Sequence, residues 1–180
     1  MTEPAYDGAA LLRLARAAVE TWVREGRSPD DALLGALAHQ APAGVFVSLK
    51  QQHNLRGCIG SVTSSTGDLG HEVVRSAIQA AVADPRFAPV AADELDSLAY
   101  SIDILSPPEP VESASDLQPR TYGVMVVAGA RRGLLLPDLE GVDDAATQLA
   151  IAQLKGGIQR EEPQQLYRFQ VQRFAEAAAR

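Results

Sequence analysis

The feature that most constrains the fold is a pair of β-rich segments, residues 44–49 (GVFVSL) and 55–62 (LRGCIGSV). Only five polar residues, 50–54, separate them, and a connection that short joins neighbouring antiparallel strands. The sequence therefore predicts a β-hairpin over residues 44–62. Because successive side chains of a strand point to opposite faces, the hairpin has two faces of different composition.

A five-residue turn would place Leu49 opposite Leu55 and Val45 opposite Ile59. One face of the hairpin is then continuously apolar, and we expect that face to lie in the core. The opposite face gathers the remaining side chains of the two strands: Phe46, Ser48, Arg56, Cys58, Gly60 and, at the turn, Lys50.

The rest of the chain mixes helical and extended patterns without a regular βαβ rhythm. Apolar residues at helical spacing predict helices over residues 7–25, 68–83 and 143–155, with a further helix starting near Pro29 and running to about His39. The remaining segments are predicted to be a strand at 98–104, a proline-rich surface loop at 107–119, a hairpin at 122–136 and a last strand at 167–171. This order predicts a single α+β domain over residues 1–180, with an antiparallel or mixed β-sheet flanked by helices.

Composition excludes several classes of function. The chain has 16 Lys and Arg against 23 Asp and Glu, a net charge of −7, which argues against a nucleic-acid partner. A single cysteine excludes a cysteine-cluster metal site, and the three histidines lie too far apart in sequence for a short metal-ligand motif. The acidic N-terminus lacks the features of a secretory signal, and no apolar run is long enough to span a membrane. We expect a cytoplasmic protein without a cofactor or membrane association.

The hexapeptide at residues 55–60 is the segment that could carry chemistry. Arg56 and Cys58 are neighbours on one face, about 6.5 to 7 Å apart at Cα from the rise of a strand. A guanidinium at that distance favours the thiolate, which is the reactive form of cysteine. Gly57 and Gly60 are poor strand residues, and glycine in a strand often marks the close approach of a ligand or of another backbone. These residues predict a pocket for an anion or a carbonyl substrate.

A structural interpretation stands beside this one. A lone cysteine in a strand is more often a small buried apolar residue, and a strand glycine often marks a bulge. No catalytic triad is evident, since His53 lies in the predicted turn. The corner at residues 84–87 (DPRF) similarly reads either as a helix stop with an Asp84–Arg86 pair and Phe87 in the core, or as a binding role for Arg86.

The same segments carry a family resemblance. GVFVSLK, LRGCIG, DPRF, the Glu94-Leu95 pair, ILS, YGVMV and GLLLP follow one another in this order between residues 8 and 175. Their order and the LRGCIG hexapeptide resemble the AMMECR domain family, whose bacterial and archaeal members are called AmmeMemoRadiSam system protein A.

The resemblance implies an α+β fold with a larger and a smaller lobe, with the hexapeptide near the cleft between them. It places the candidate site at Arg56, Gly57, Cys58 and Gly60, with Asp84 and Arg86 as second candidates. It also implies two companions, a Memo-like protein related to ring-cleaving dioxygenases and a radical SAM protein. The chain departs from the family at Asp138, where a glutamine is usual, and lacks the tryptophans usual near the late helix.

Two classes of function follow from these observations. In the first, the LRGCIG surface is a ligand- or partner-docking cleft that serves a companion enzyme. In the second, Cys58 is the nucleophile of an enzyme acting on a small carbonyl or activated substrate, with Arg56 stabilising the thiolate and an oxyanion. The resemblance favours the docking hypothesis, because the sequence supplies no general base.

Overall fold

The helices and strands of the chain fall into two compact units. The structure is a computed structural model that describes residues 5–176; the first unit contains residues 5–104 and 172–176, and the second contains residues 105–171. In chain order the elements are α1 (Gly8–Glu25), β1 (Gly44–Gln51), β2 (Asn54–Ser61), α2 (Leu69–Val82), β3 (Leu98–Leu105), β4 (Glu109–Val111), β5 (Gly123–Ala128), β6 (Arg131–Leu135), α3 (Ala145–Gly156), β7 (Gln165–Phe169) and β8 (Val171–Ala175). Short 3-10 helices cover Asp31–Leu33, Gly35–His39, Ala92–Ser97 and Ala114–Asp116.

The first unit is built on a four-stranded sheet in the order β2-β1-β3-β8. Helix α2 packs against β1 and β2, and α1 packs against α2. Both helices begin at an aspartate whose side chain accepts a backbone N–H three residues on, from Ala10 for Asp7 and from His71 for Asp68. Their apolar faces and the inward side chains of β1 and β3 form one core.

The second unit is built on a four-stranded sheet in the order β4-β7-β5-β6, with α3 packed against β5 and β6. Helix and strand approach closely at Gly133, where an added Cβ would lie 1.8 Å from the carbonyl oxygen of Ala152. The unit has its own apolar core, centred on Val124, Val126 and Ala152. No helix in the described part of the chain is long and apolar enough to cross a membrane.

The predicted α+β class is confirmed, with both hairpins and the three main helices within about two residues of their predicted bounds. Three local predictions are wrong. Residues 28–39 form 3-10 turns instead of an α-helix, and the predicted loop at 107–119 contains β4 and a 3-10 helix. The last strand is two strands, β7 and β8, which meet at Gln170 and belong to different sheets.

The predicted register of the first hairpin is also wrong. Leu49 lies opposite Gly57, and Val47 lies opposite Ile59. The reason is the turn, which contains only Gln52 and His53, both at positive φ (48° and 67°), so the strands extend into residues predicted to be loop. Beyond the turn the register is displaced by two residues, and a shift of two preserves the faces of a strand, so Val45, Leu49 and Gly57 are buried as predicted. The prediction for Leu55 is wrong: it is 38% exposed, because the irregularity beside it interrupts the alternation of the faces.

Tyr100 provides a test of the core of the first unit. It is 1% exposed, its hydroxyl has no hydrogen-bond partner among the described residues, and burial raises its pKa. The Arg16 guanidinium lies 4.5 Å from the ring centroid, a contact that phenylalanine would keep. We therefore expect Tyr100→Phe to leave the free energy of unfolding unchanged or to raise it by up to about 1 kcal/mol. Urea denaturation measures this, and a clear loss of stability would mean that the hydroxyl is hydrogen-bonded.

Candidate functional site

Cys58 lies on the outer face of the first hairpin, directly opposite Ser48. The Ser48 hydroxyl donates to Cys58 Sγ at 3.2 Å, and the thiol is free and half-buried. Phe46 lies opposite Gly60 in the same register. We call these four residues, Phe46, Ser48, Cys58 and Gly60, the Cys58 face.

Arg56 occupies a β-bulge at the edge of this face. The register is interrupted between Leu49 and Lys50, which leaves Arg56 as the extra residue of β2. Its guanidinium donates from Nε and Nη2 to the two carboxylate oxygens of Glu94, at 2.8 and 2.9 Å, and from Nη1 to the carbonyl of Ala88 at 2.9 Å. These hydrogen bonds lower the pKa of Glu94 and raise that of Arg56. The structure thus joins Arg56 to Glu94, and no hydrogen bond connects its guanidinium to Sγ in the described part of the chain.

The Asp84–Arg86 corner lies beside Cys58. The Asp84 carboxylate is buried; it accepts from the backbone N–H of Cys58 at 2.9 Å and from Arg86 Nη2 at 2.7 Å and Nε at 3.0 Å. Chiefly through hydrogen bonds from the Arg86 guanidinium, the pKa of Asp84 is held well below its usual range. Arg86 Nη2 also donates to the carbonyl of Cys58 at 3.4 Å. Arg86, and not Arg56, is therefore the guanidinium that contacts the cysteine.

Phe87 does not anchor the segment after this corner in the core, although the structural interpretation of the sequence predicted that it would. The Asp84–Arg86 pair is present, but Phe87 is only half-buried and belongs to neither core. Val90 anchors the segment instead, since it is 5% exposed and its N–H donates to the carbonyl of Ala81.

At both glycines of the hexapeptide, other atoms of the protein occupy the space that a side chain would fill. A Cβ on Gly57 would lie 2.0 Å from the carbonyl oxygen of Ala80, so β2 packs directly onto the backbone of α2. A Cβ on Gly60 would lie 2.2 Å from the carbonyl oxygen of Val45 and 2.5 Å from Cγ of Phe46. Gly60 therefore makes room for the Phe46 ring on the Cys58 face, while Gly57 acts on the core side of the strand.

The arrangement around Cys58 offers little for nucleophilic catalysis. Asp84 is the carboxylate that accepts a hydrogen bond from the backbone N–H of Cys58. Because its pKa is lowered, it is a weak base. The three histidines are placed elsewhere: His53 in the hairpin turn, His39 at the end of a 3-10 helix, and His71 in the first turn of α2 hydrogen-bonded to Asp68. Among residues 5–176, no group of three or more His, Cys, Asp or Glu is placed to hold a metal ion.

Glu94 is a residue of this region that the sequence does not single out as part of the site. It is the third residue of the short helix at 92–97, a position at which an acid often accepts from the backbone at the start of the helix, and it accepts from the N–H of Ala91. The sequence gives no sign of its second partner, Arg56, which lies 38 residues away along the chain.

Comparison with known proteins gives one consistent match. The AMMECR1 family matches residues 12–174. The chain is 49% identical over 160 residues to a protein of Thermotoga maritima, covering 87% of this chain and 91% of that protein, and 38% identical over 185 residues to one of Methanothermobacter thermautotrophicus, covering 94% of each.

Two further matches extend the comparison. A protein of Clostridium acetobutylicum is 44% identical over 134 residues; the match covers 74% of this chain and only 28% of that protein. The crystal structure of an uncharacterized protein from Pyrococcus horikoshii superposes with a TM-score of 0.85 at 32% identity, covering 95% of this chain and 92% of that one. The family is thus found both as a protein of this size and within a larger one.

Proposed function

Because the chain belongs to the AMMECR1 family, we propose that it works as a docking protein, and that the Cys58 face with the Asp84–Arg86 corner receives a companion protein. The companions that the sequence resemblance implies are a Memo-like protein and a radical SAM protein. In this account the hexapeptide is a recognition surface, and the chemistry belongs to the companion.

The observation that supports the proposal is a group of side chains, on the Cys58 face and at the Asp84–Arg86 corner, that belong to neither apolar core. Phe46 and Phe87 are half-buried and belong to neither apolar core. The Arg86 side chain is 56% exposed. Phe46 belongs to the Cys58 face, and the Arg86 guanidinium, which donates to the carbonyl of Cys58, lies 5.5 Å from the centroid of the Phe87 ring. Aromatic residues and arginine supply most of the binding energy at protein interfaces, so these three side chains favour docking.

The rigidity of the surroundings supports the same function. Arg56 connects the hairpin to Glu94 and to the carbonyls of Ala88 and Pro89, and Asp84 connects it again through the N–H of Cys58. A surface held by this many hydrogen bonds loses little conformational entropy when a partner binds. The charges of both pairs are also neutralised within the chain, so docking does not leave a bare charge buried.

Arg86 suggests the chemistry of the contact. Its Nε and Nη2 atoms are engaged by Asp84, whereas its Nη1 makes no hydrogen bond within the described residues. An exposed guanidinium N–H with a fixed orientation suits a carboxylate or carbonyl oxygen of the partner. We infer that the companion presents such an oxygen beside an apolar patch that covers Phe46 and Phe87.

The test is a binding titration of this chain against the Memo-like and radical SAM proteins of the same genome. We expect one of them to bind, and we expect the double variant Phe46→Ala/Phe87→Ala to weaken binding by about tenfold or more. Leu33→Ala is the matched control, because Leu33 is a 56% exposed apolar side chain remote in sequence from the Cys58 face. Failure of both companions to bind, or equal binding by the double variant, would refute the proposal.

A further inference from the structure

One stretch of sheet edge within residues 5–176 lacks the protection that edge strands normally have. An edge strand presents unpaired N–H and C=O groups to any extended segment, and proteins protect it with charges, prolines, bulges or a very short strand. The edge strands here are β2 and β8 of the first sheet and β4 and β6 of the second. All of them except β2 carry such protection along the strand.

The strands β4, β6 and β8 are protected in different ways. β4 has only three residues, with Pro110 at its centre and two further prolines just before it. β6 begins with the exposed Arg131 and Arg132. β8 carries Arg173, whose guanidinium pairs with Asp103 of β3. These edges are therefore poor templates for the addition of another strand.

β2 is protected along only part of its length. Its bulge lies at Arg56, and at Cys58 the side chains of the Asp84–Arg86 corner take the place of a neighbouring strand. The Asp84 carboxylate accepts from the N–H of Cys58, and Arg86 Nη2 donates to the C=O of Cys58. Both backbone groups of Cys58 therefore point away from β1, and the chain itself satisfies them.

Gly60 has the same backbone orientation but no such partner. Every second residue of an antiparallel strand directs its N–H and C=O to the same side, so the groups of Gly60, like those of Cys58, point away from β1. Within residues 5–176, no side chain and no other segment makes a hydrogen bond to them. Gly60 is half-buried and has no side chain that would obstruct another main chain. The unprotected edge is therefore centred on Gly60.

The apolar core of the first unit is open at the same place. Ile59 packs against this core but is only half-buried, whereas Val47, directly opposite on β1, is fully buried. On the other face of the sheet, the Phe46 ring opposite Gly60 is also half-buried. A strand added along this edge would cover both side chains, because its own side chains alternate between the two faces.

We propose that the companion protein adds an extended segment to this edge, as a fifth strand whose main chain pairs with Gly60. The inference rests on the proposed docking function and specifies how the companion is held. Main-chain hydrogen bonds supply the pairing, and apolar side chains that cover Ile59 and Phe46 supply the selectivity. The companion is thus recognised through an extended, apolar segment.

The added segment is limited in length on one side. The Asp84–Arg86 corner occupies the edge at Cys58, about 7 Å along the strand from Gly60. The segment must therefore end or turn away at the corner. At that point Arg86 Nη1 is placed to donate to a carbonyl or carboxylate oxygen of the segment.

Amide hydrogen exchange, followed by NMR on the isotope-labelled chain with and without the unlabelled Memo-like or radical SAM protein, tests the inference. In the free chain, the N–H of Gly60 should be protected at least about tenfold less than that of Ile59, whose backbone groups face Val47 of β1. The bound companion should slow exchange at Gly60 by at least about tenfold. Gly67, an exposed loop glycine, is the matched control and should exchange equally fast in both samples.

Three results would overturn the inference, and they separate it from the proposed function. A companion that binds in the titration but leaves exchange at Gly60 unchanged would exclude strand addition and leave docking intact. Protection of Gly60 that appears in the chain alone and grows with its concentration would assign the edge to a second copy. If neither companion binds, the docking function itself fails, and strand addition fails with it.

Discussion

Replacing Gly57 by alanine is expected to lower the free energy of unfolding by at least about 3 kcal/mol. The added Cβ would lie 2.0 Å from the carbonyl oxygen of Ala80, a backbone atom within α2 that cannot turn aside as a side chain does. Relief of the clash requires α2 to move away from β2, which opens the main core of the first unit. Urea denaturation followed by circular dichroism measures the change.

Gly67→Ala is the matched control for this prediction. Gly67 has an ordinary negative φ and nothing within 4 Å of an added Cβ, so the same change of chemistry there should alter stability by less than about 0.5 kcal/mol. If Gly57→Ala were as mild as the control, the close approach of α2 to the hexapeptide would be wrong. The role of Gly57 would then have to be sought in ligand contact.

Replacing Asp84 by asparagine is expected to cost about 2 kcal/mol near neutral pH. The buried carboxylate accepts from the N–H of Cys58 and from the backbone and guanidinium of Arg86. Asparagine keeps one acceptor oxygen but turns an NH₂ group towards these donors. Asp143→Asn is the control, because the Asp143–Arg120 pair is exposed and should contribute less than about 1 kcal/mol.

The cost of Asp84→Asn should depend on pH in one direction. Since the pKa of Asp84 is lowered in the folded protein, its stabilising contribution is fully present above the ordinary aspartate pKa, about 3.9, and is lost as the pH falls through the folded value. The difference in unfolding free energy between wild type and variant should therefore be constant above about pH 5 and shrink below about pH 4. A difference that grew on acidification would contradict the assigned ionisation of Asp84.

The elements were predictable from the sequence because their signals are local. A period of two in residues 44–49 and 55–62 divided the hairpin correctly into a core face and an outer face except at Leu55, which is 38% exposed beside the bulge. The register was not predictable, because it depends on a two-residue turn with positive φ at Gln52 and His53. The residues typical of such turns are glycine, asparagine and aspartate, so neither Gln52 nor His53 indicates the turn. The split between β7 and β8 was missed for a related reason: continuous alternation through Gln170 carries no sign that the chain changes sheets.

The sequence singled out the residues around Cys58, but it did not show which of them contact one another. The sequence placed Arg56 and Cys58 on one strand, and the structure adds that Arg56 pairs with Glu94, which is 38 residues away along the chain. It likewise brings Arg86 to the carbonyl of Cys58 across 28 residues. Pairings at such separations depend on tertiary packing, and spacing in one sequence cannot specify them. The hexapeptide glycines lie where other protein atoms approach closely, the backbone of α2 at Gly57 and the Phe46 ring at Gly60, and a binding role for either stays a prediction.

The central claim is that the Cys58 face acts by its shape and not by thiol chemistry. The most direct measurement compares the affinity of the companion protein for the Cys58→Ala variant and for wild type alkylated at Cys58 with iodoacetamide. We expect the alanine variant to bind within about a factor of two of wild type, and the bulky adduct to weaken binding by about tenfold or more. Loss of binding in the alanine variant, or undiminished binding by the alkylated protein, would contradict the docking account.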